Sequence, residues 1–168
     1  MTINQAIKIL RRGGVGVLLT DTIYGLVGQA QKPETVARIY RLKQRRPDKP
    51  FIILISDLAE LKKFKIKPTR SVLKIINRFW PGPTSIIFTK RVACRLPASY
   101  RLRQLLKKTG PLAAPSANPE GRPPATTIAQ AKKYFGAQAD FYLTGGRINK
   151  KSSRLIAIKN GKIIVIRE

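Results

Sequence analysis

Gly14-Val15-Gly16-Val17-Leu18-Leu19-Thr20-Asp21-Thr22-Ile23-Tyr24-Gly25-Leu26-Val27-Gly28 decides how this chain is read. Its first part, Val15 to Leu19, is a short apolar run between turn residues. At that length, and without helical spacing, it reads as a buried strand. Its second part, Thr20 to Gly28, reads as a loop carrying polar groups and the glycines Gly25 and Gly28. Just upstream, Ile3, Ala6, Ile7 and Leu10 recur at helical spacing, and Gly13-Gly14 ends them. A helix feeding a buried strand that stops in polar residues is a unit of α/β architecture. In open α/β sheets the ligand crevice lies at the carboxyl ends of strands, so Thr20-Asp21-Thr22 is placed to hold a small polar ligand. The same residues also suit a capped turn.

The pattern continues outward. Pro33 opens a helix with Val36, Ile39, Tyr40 and Lys43 in register, broken by Pro47 and Pro50. Phe51 to Ile55 is a second buried strand, and Ser56-Asp57 caps the segment Leu58 to Leu61. Val72, Leu73, Ile75, Ile76 and Phe79 mark a helix stopped by Pro81-Gly82-Pro83. Ser85 to Phe88 is a strand, Arg95 ends another short apolar strand, and Tyr100 to Lys108 is helical. Pro111 to Ala114 is a short strand, and Ile128 to Phe135 a helix ended by Gly136. Leu155 to Ile158 and Lys162 to Ile166 form a hairpin about Asn160-Gly161. Alternating helices and strands with a closing hairpin predict one α/β domain over residues 1–168, built on a mixed sheet with flanking helices.

Composition narrows the chemistry. The chain has 168 residues, enough for one sizeable core. Its 34 Lys and Arg against 8 Asp and Glu give a formal +26, an attraction for nucleotides, nucleic acid or anionic lipid. It contains no histidine, which excludes Ser-His-Asp and Cys-His catalysis and any His-ligated metal. The single cysteine, Cys94, forms no intrachain disulfide and suits a reducing, cytoplasmic setting. There is no signal-peptide layout and no apolar run of about 18 residues, so a soluble protein with no membrane partner is expected. Neither a P-loop nor a dinucleotide fingerprint is present.

Four groups of residues carry candidate chemistry. Lys43, Arg45 and Arg46 at a helix end suit a triphosphate or pyrophosphate; alone, they are more simply cations favoured by the helix dipole. Ser116 and Asn118 follow the short strand Leu112 to Ala114 and suit phosphate oxygens, or a polar turn. Tyr24 is either packing or a substrate wall, and Phe79-Trp80-Pro81-Gly82-Pro83 reads as a packed corner. With Asp21 and Asp48 as the nearby carboxylates, carboxylate acid–base catalysis has few candidates.

In order and spacing the chain resembles one family. Thr20-Asp21-Thr22-Ile23-Tyr24-Gly25-Leu26, Lys43-Gln44-Arg45, Phe79-Trp80-Pro81-Gly82-Pro83-Thr84, Arg95-Leu96-Pro97, Ser116-Ala117-Asn118, Gly145-Gly146 and Ser153 together resemble the YrdC/TsaC family of threonylcarbamoyl-AMP synthases. The resemblance implies a YrdC-like twisted mixed sheet around a basic cavity. It implies nucleotidyl transfer: L-threonine, bicarbonate and ATP give L-threonylcarbamoyladenylate and pyrophosphate, for modification of tRNA by downstream transferase proteins. By position, Lys43 and Arg45 are the catalytic and phosphate-holding residues, and Ser116 and Asn118 join them in binding ATP. Thr20, Thr22, Arg95 and Ser153 form the threonine end, Arg95 pairing with the carboxylate. ATP is a substrate accompanied by Mg²⁺ with few protein ligands, and no tightly bound cofactor or resident metal is expected. Double-stranded RNA or tRNA is a further partner the resemblance implies, and a non-catalytic RNA-binding module is the competing reading. A related carbamoyl transferase or hydrogenase-maturation domain is a third, set against the short length. The chain departs from the family pattern at Leu19 and Pro115, in a shortened segment at 89–94, in ending Arg167-Glu168, and in lacking the second domain of longer relatives.

Overall fold

The structure is a computed structural model describing residues 1–90, 92–159 and 161–168. Helix α1 (Ile3–Arg11) is capped by Thr2, whose side chain accepts from Gln5 N while the Gln5 side chain accepts from Thr2 N. It leads into β1 (Gly16–Leu19) and then β2 (Tyr24–Gln29), which pairs antiparallel with β1 from Leu19↔Tyr24 to Gly16↔Val27. Helix α2 (Pro33–Lys43) follows, then β3 (Ile52–Leu54), a 3-10 segment (Leu58–Phe64), α3 (Arg70–Phe79), β4 (Thr84–Thr89) and β5 (Val92–Arg95). The remainder is α4 (Tyr100–Thr109), β6 (Leu112–Ala113), α5 (Ile128–Phe135), a 3-10 turn (Gly136–Gln138), β7 (Phe141–Leu143), β8 (Arg154–Lys159) and β9 (Lys162–Arg167). The described strands form one mixed sheet in the order β7-β1-β2-β6-β3-β5-β4-β8-β9.

Period-two side-chain alternation places the cores. Val17 and Leu26 point to one face of the sheet with Ile39 of α2 and Ala131 and Phe135 of α5. Their neighbours Leu18 and Val27 point to the other, with Ile7 and Leu10 of α1 and Leu102, Leu105 and Leu106 of α4. A third cluster joins Ile76 of α3 and Trp80 to Ile86 and Ile156 of β4 and β8. Covering on both faces is why these strands read as continuous apolar runs.

Two sequence expectations change. Thr20 to Gly28 is not all loop: only Thr20–Ile23 turns, and the rest is β2. Gly28 of β2, read as a loop residue from sequence, and Gly16 of β1 permit close packing. A Cβ on Gly28 would sit 2.5 Å from Thr35 Cγ2 of α2, and one on Gly16 would enter the Phe141 ring. Strand β7 went unread because Phe141-Tyr142-Leu143 is three residues long; its parallel pairing with β1 defines it. At the expected Asn160-Gly161 turn, Gly161 takes a positive φ of 72°. Asn160, and Arg91 within the 89–94 segment, lie outside the described residues.

Candidate functional site

The carboxyl ends of β1 and β5 open onto a cavity of about 340 Å³. The β1–β2 turn supplies Thr20 and Thr22. Thr20 Oγ1 does the local work: it donates to Ile23 O (2.7 Å), accepts from Thr22 N and Ile23 N (3.2 Å each), and lies 3.1 Å from Thr22 Oγ1. Arg95, the last residue of β5, reaches this turn. Its Nη1 donates to Thr22 Oγ1 and its Nη2 to Asp21 Oδ1, both at 2.9 Å, while Asp21 Oδ2 accepts from Ala98 N at 3.0 Å. Arg95 is 4% exposed. Burial lowers its pKa and Asp21 opposes that shift, so the carboxylate is what allows a guanidinium to be held here.

The rest of the wall comes from other elements. Gln44 ends α2 in the left-handed conformation (φ 52°), which redirects the chain so that Arg45 enters the cavity wall above the Phe51 ring, 5.5 Å from its centroid. Ser116 lines the cavity just beyond β6, where an isolated bridge to Gly25 ties its backbone to β2. Ser153, before β8, is 3% exposed and its Oγ lies 2.9 Å from Ser85 Oγ.

Six of the eight residues expected from sequence therefore line one cavity: Thr20, Thr22, Arg45, Arg95, Ser116 and Ser153. Lys43 and Asn118 do not line it; both are buried behind its wall. Lys43 Nζ donates to Ser116 O (2.6 Å) and Asn118 O (2.7 Å), with Asn118 Oδ1 at 3.5 Å. The Asn118 amide donates to Pro119 O and Arg122 O. Tyr24 also lies behind the wall, its hydroxyl donating to Gly146 O and accepting from Gly145 N. Trp80 is the packed corner expected, donating from Nε1 to Thr84 O.

Sequence reading gave no site role to Arg167. It lines the cavity, donating from Nε and Nη2 to Ser153 O. Burial lowers its pKa, and the positive charge of Arg45, which lines the same cavity, lowers it further. Its signal was faint: a cation closing a strand of four consecutive aliphatics, brought to Ser153 by the β8–β9 register Leu155↔Arg167. Among the described residues the wall holds three arginines, hydroxyls and no carboxylate. The Nε atoms of Arg45 and Arg95 are buried without a partner among the described residues. Such a lining attracts anions and offers short donors to phosphate or carboxylate oxygens.

These features define a class: an α/β protein whose strand ends enclose a cationic pocket for a small anionic ligand. The chain belongs to the Sua5/YciO/YrdC family, whose profile, described as telomere recombination, matches residues 8–168. It is 29% identical over 174 residues to the threonylcarbamoyl-AMP synthase of Nitrosococcus oceani, covering 95% of this chain and 93% of that protein. A Methanocaldococcus jannaschii relative is 31% identical, with 96% of this chain and 82% of the relative covered. The crystal structure of Pyrococcus abyssi Sua5 complexed with L-threonine superposes with a TM-score of 0.89 at 27% identity, covering 98% of this chain and 53% of that one. Escherichia coli YciO superposes at 0.86, with 25% identity and 99% and 88% covered. The chain thus spans nearly all of some relatives and about half of the Sua5 structure. No helix of the described residues is long and apolar enough to cross a membrane.

Proposed function

We propose that this chain is a threonylcarbamoyl-AMP synthase. The observation that carries it is one cavity that combines hydroxyls with three arginines. The hydroxyls of Thr20 and Thr22, with Arg95 and Ser153, suit a hydroxy amino acid and its carboxylate. Arg45 and Ser116, with Arg167 bonded to Ser153 between the two groups, suit phosphates. Relatives named threonylcarbamoyl-AMP synthase, and a relative solved with L-threonine, support the assignment.

The reaction needs positioning more than proton chemistry. The threonine amine and bicarbonate join in a new N–C bond with loss of water. A carboxylate oxygen of that carbamate then attacks the α-phosphorus of ATP, and the α–β P–O bond breaks to release pyrophosphate. Arg45 and Arg167 neutralise charge on the leaving phosphates, and fixed donors of this kind act most strongly on charge that develops in the transition state. Mg²⁺ enters only as a companion of ATP. The cavity wall has no carboxylate, and no group of three metal-binding side chains exists among the described residues, so no step is assigned to the metal.

Pyrophosphate release should require ATP, L-threonine and bicarbonate together, with the adenylate product seen by mass spectrometry; release that ignores threonine or bicarbonate rejects the reading. The +26 charge supports a concurrent property, contact with tRNA or double-stranded RNA in the modification that consumes the adenylate.

A further inference from the structure

The two triplets that marked the site in the sequence divide their labour in space. Arg45 and Ser116 face the cavity, whereas Lys43 and Asn118 face away from it and bond each other. Lys43 is 2% exposed. Its ammonium has three protons: two are committed at 2.6 and 2.7 Å to Ser116 O and Asn118 O, and the third has Asn118 Oδ1 at 3.5 Å. Its own carbonyl accepts from Glu120 N at 2.7 Å. One residue therefore grips the 116–120 turn through side chain and backbone together.

The charge has a local reason. Two carbonyl oxygens converge on one buried point, and a neutral aliphatic side chain would take the ammonium from both, leaving Ser116 O the Asn118 N–H it also accepts at 3.0 Å. No carboxylate bonds this ammonium among the described residues. The next residue, the left-handed Gln44, sends Arg45 into the wall, so the grip fixes Arg45 relative to Ser116 as well.

We propose that Lys43 is a positioning residue: from behind the cavity wall it holds the end of α2 to the 116–118 turn, setting Arg45 and Ser116 at the spacing the nucleotide phosphates need, without touching the substrate. This rests on the adenylation reading above and corrects the role expected of Lys43 from sequence, direct contact with phosphate.

Wild-type turnover is measured first, and its absence rejects the adenylation reading rather than this one. Lys43→Met should then cost about 10²-fold in kcat/KM for ATP, as a small misplacement can. The KM for threonine should stay within about twofold, because Lys43 bonds none of Thr20, Thr22 and Arg95. Ser116→Ala should be costly alone but, added to Lys43→Met, cost less than about threefold more, since the hydroxyl is already misplaced. Multiplying losses, or a threonine KM that rises with that for ATP, overturn positioning. Should Lys43→Met fail to fold, the wild type decides. In crystals with adenosine 5′-(α,β-methylene)triphosphate, Nζ should remain on Ser116 O and Asn118 O with every phosphate oxygen beyond about 4 Å, outside hydrogen-bond reach. A phosphate oxygen bonded to Nζ overturns the proposal.

Discussion

At the scale of single residues, burial decides behaviour more than residue type. Lys43 is a cation bonded to neutral carbonyls, and burial with Arg45 nearby lowers its pKa from 10.5 to about 8, Glu120 opposing. The native chain therefore holds this proton less tightly than the unfolded chain. The resulting penalty is complete below pH about 8 and fades towards 10.5, so this residue's effect on stability becomes more favourable as pH rises. The stability of Lys43→Met relative to wild type, from urea titrations, should fall between those values; an unchanged or rising difference contradicts the lowered pKa. Asp21 is the reverse case, an acid that makes a buried cation tolerable. Asp21→Ala leaves Arg95 bonded to Thr22 without its carboxylate and should destabilise the fold by about 3–5 kcal/mol, as for other buried pairs broken on one side. A loss below about 1 kcal/mol, the range of exposed pairs, would show that solvent reaches the guanidinium.

At the scale of elements, the glycines explain where sequence reading succeeded and failed. Gly13 ends α1 as expected, with φ 93°. Gly25 and Gly28 suggest a loop because glycine suits turns, yet both lie in a strand, where Gly28 lets α2 approach and Gly25 carries the backbone bridge to Ser116. Gly28→Val should cost about 1–3 kcal/mol in chemical denaturation through overpacking against Thr35 and Ile39; a neutral effect would mean that α2 moves freely off the sheet. The helices were legible almost to the residue, as with Ile128–Phe135, because amphipathic spacing and caps are local signals. Strands β2 and β7 were not, because pairing partners define them. Arg167 was missed for the same reason: β-register, not sequence distance, brings it to Ser153.

At the scale of the whole molecule, +26 on 168 residues is a field rather than a site. Were tRNA to contact it through about six phosphates, affinity should fall about 10³-fold between roughly 50 and 200 mM salt. Filter binding across that range tests this, and a salt-independent or absent complex removes RNA as a partner. ATP turnover should respond far less, since Arg95 and Arg45 act inside a cavity where ions screen poorly.

The sequence by itself determined the α/β class, the helices and most strands, the family, and six residues that share the cavity. These follow from local spacing and from ordered motifs, both of which survive in one dimension. Only the tertiary structure decided which half of each triplet faces the ligand space. Residues two apart in a turn can point either way, and the choice here is made by carbonyls some seventy residues distant that converge on the Lys43 ammonium.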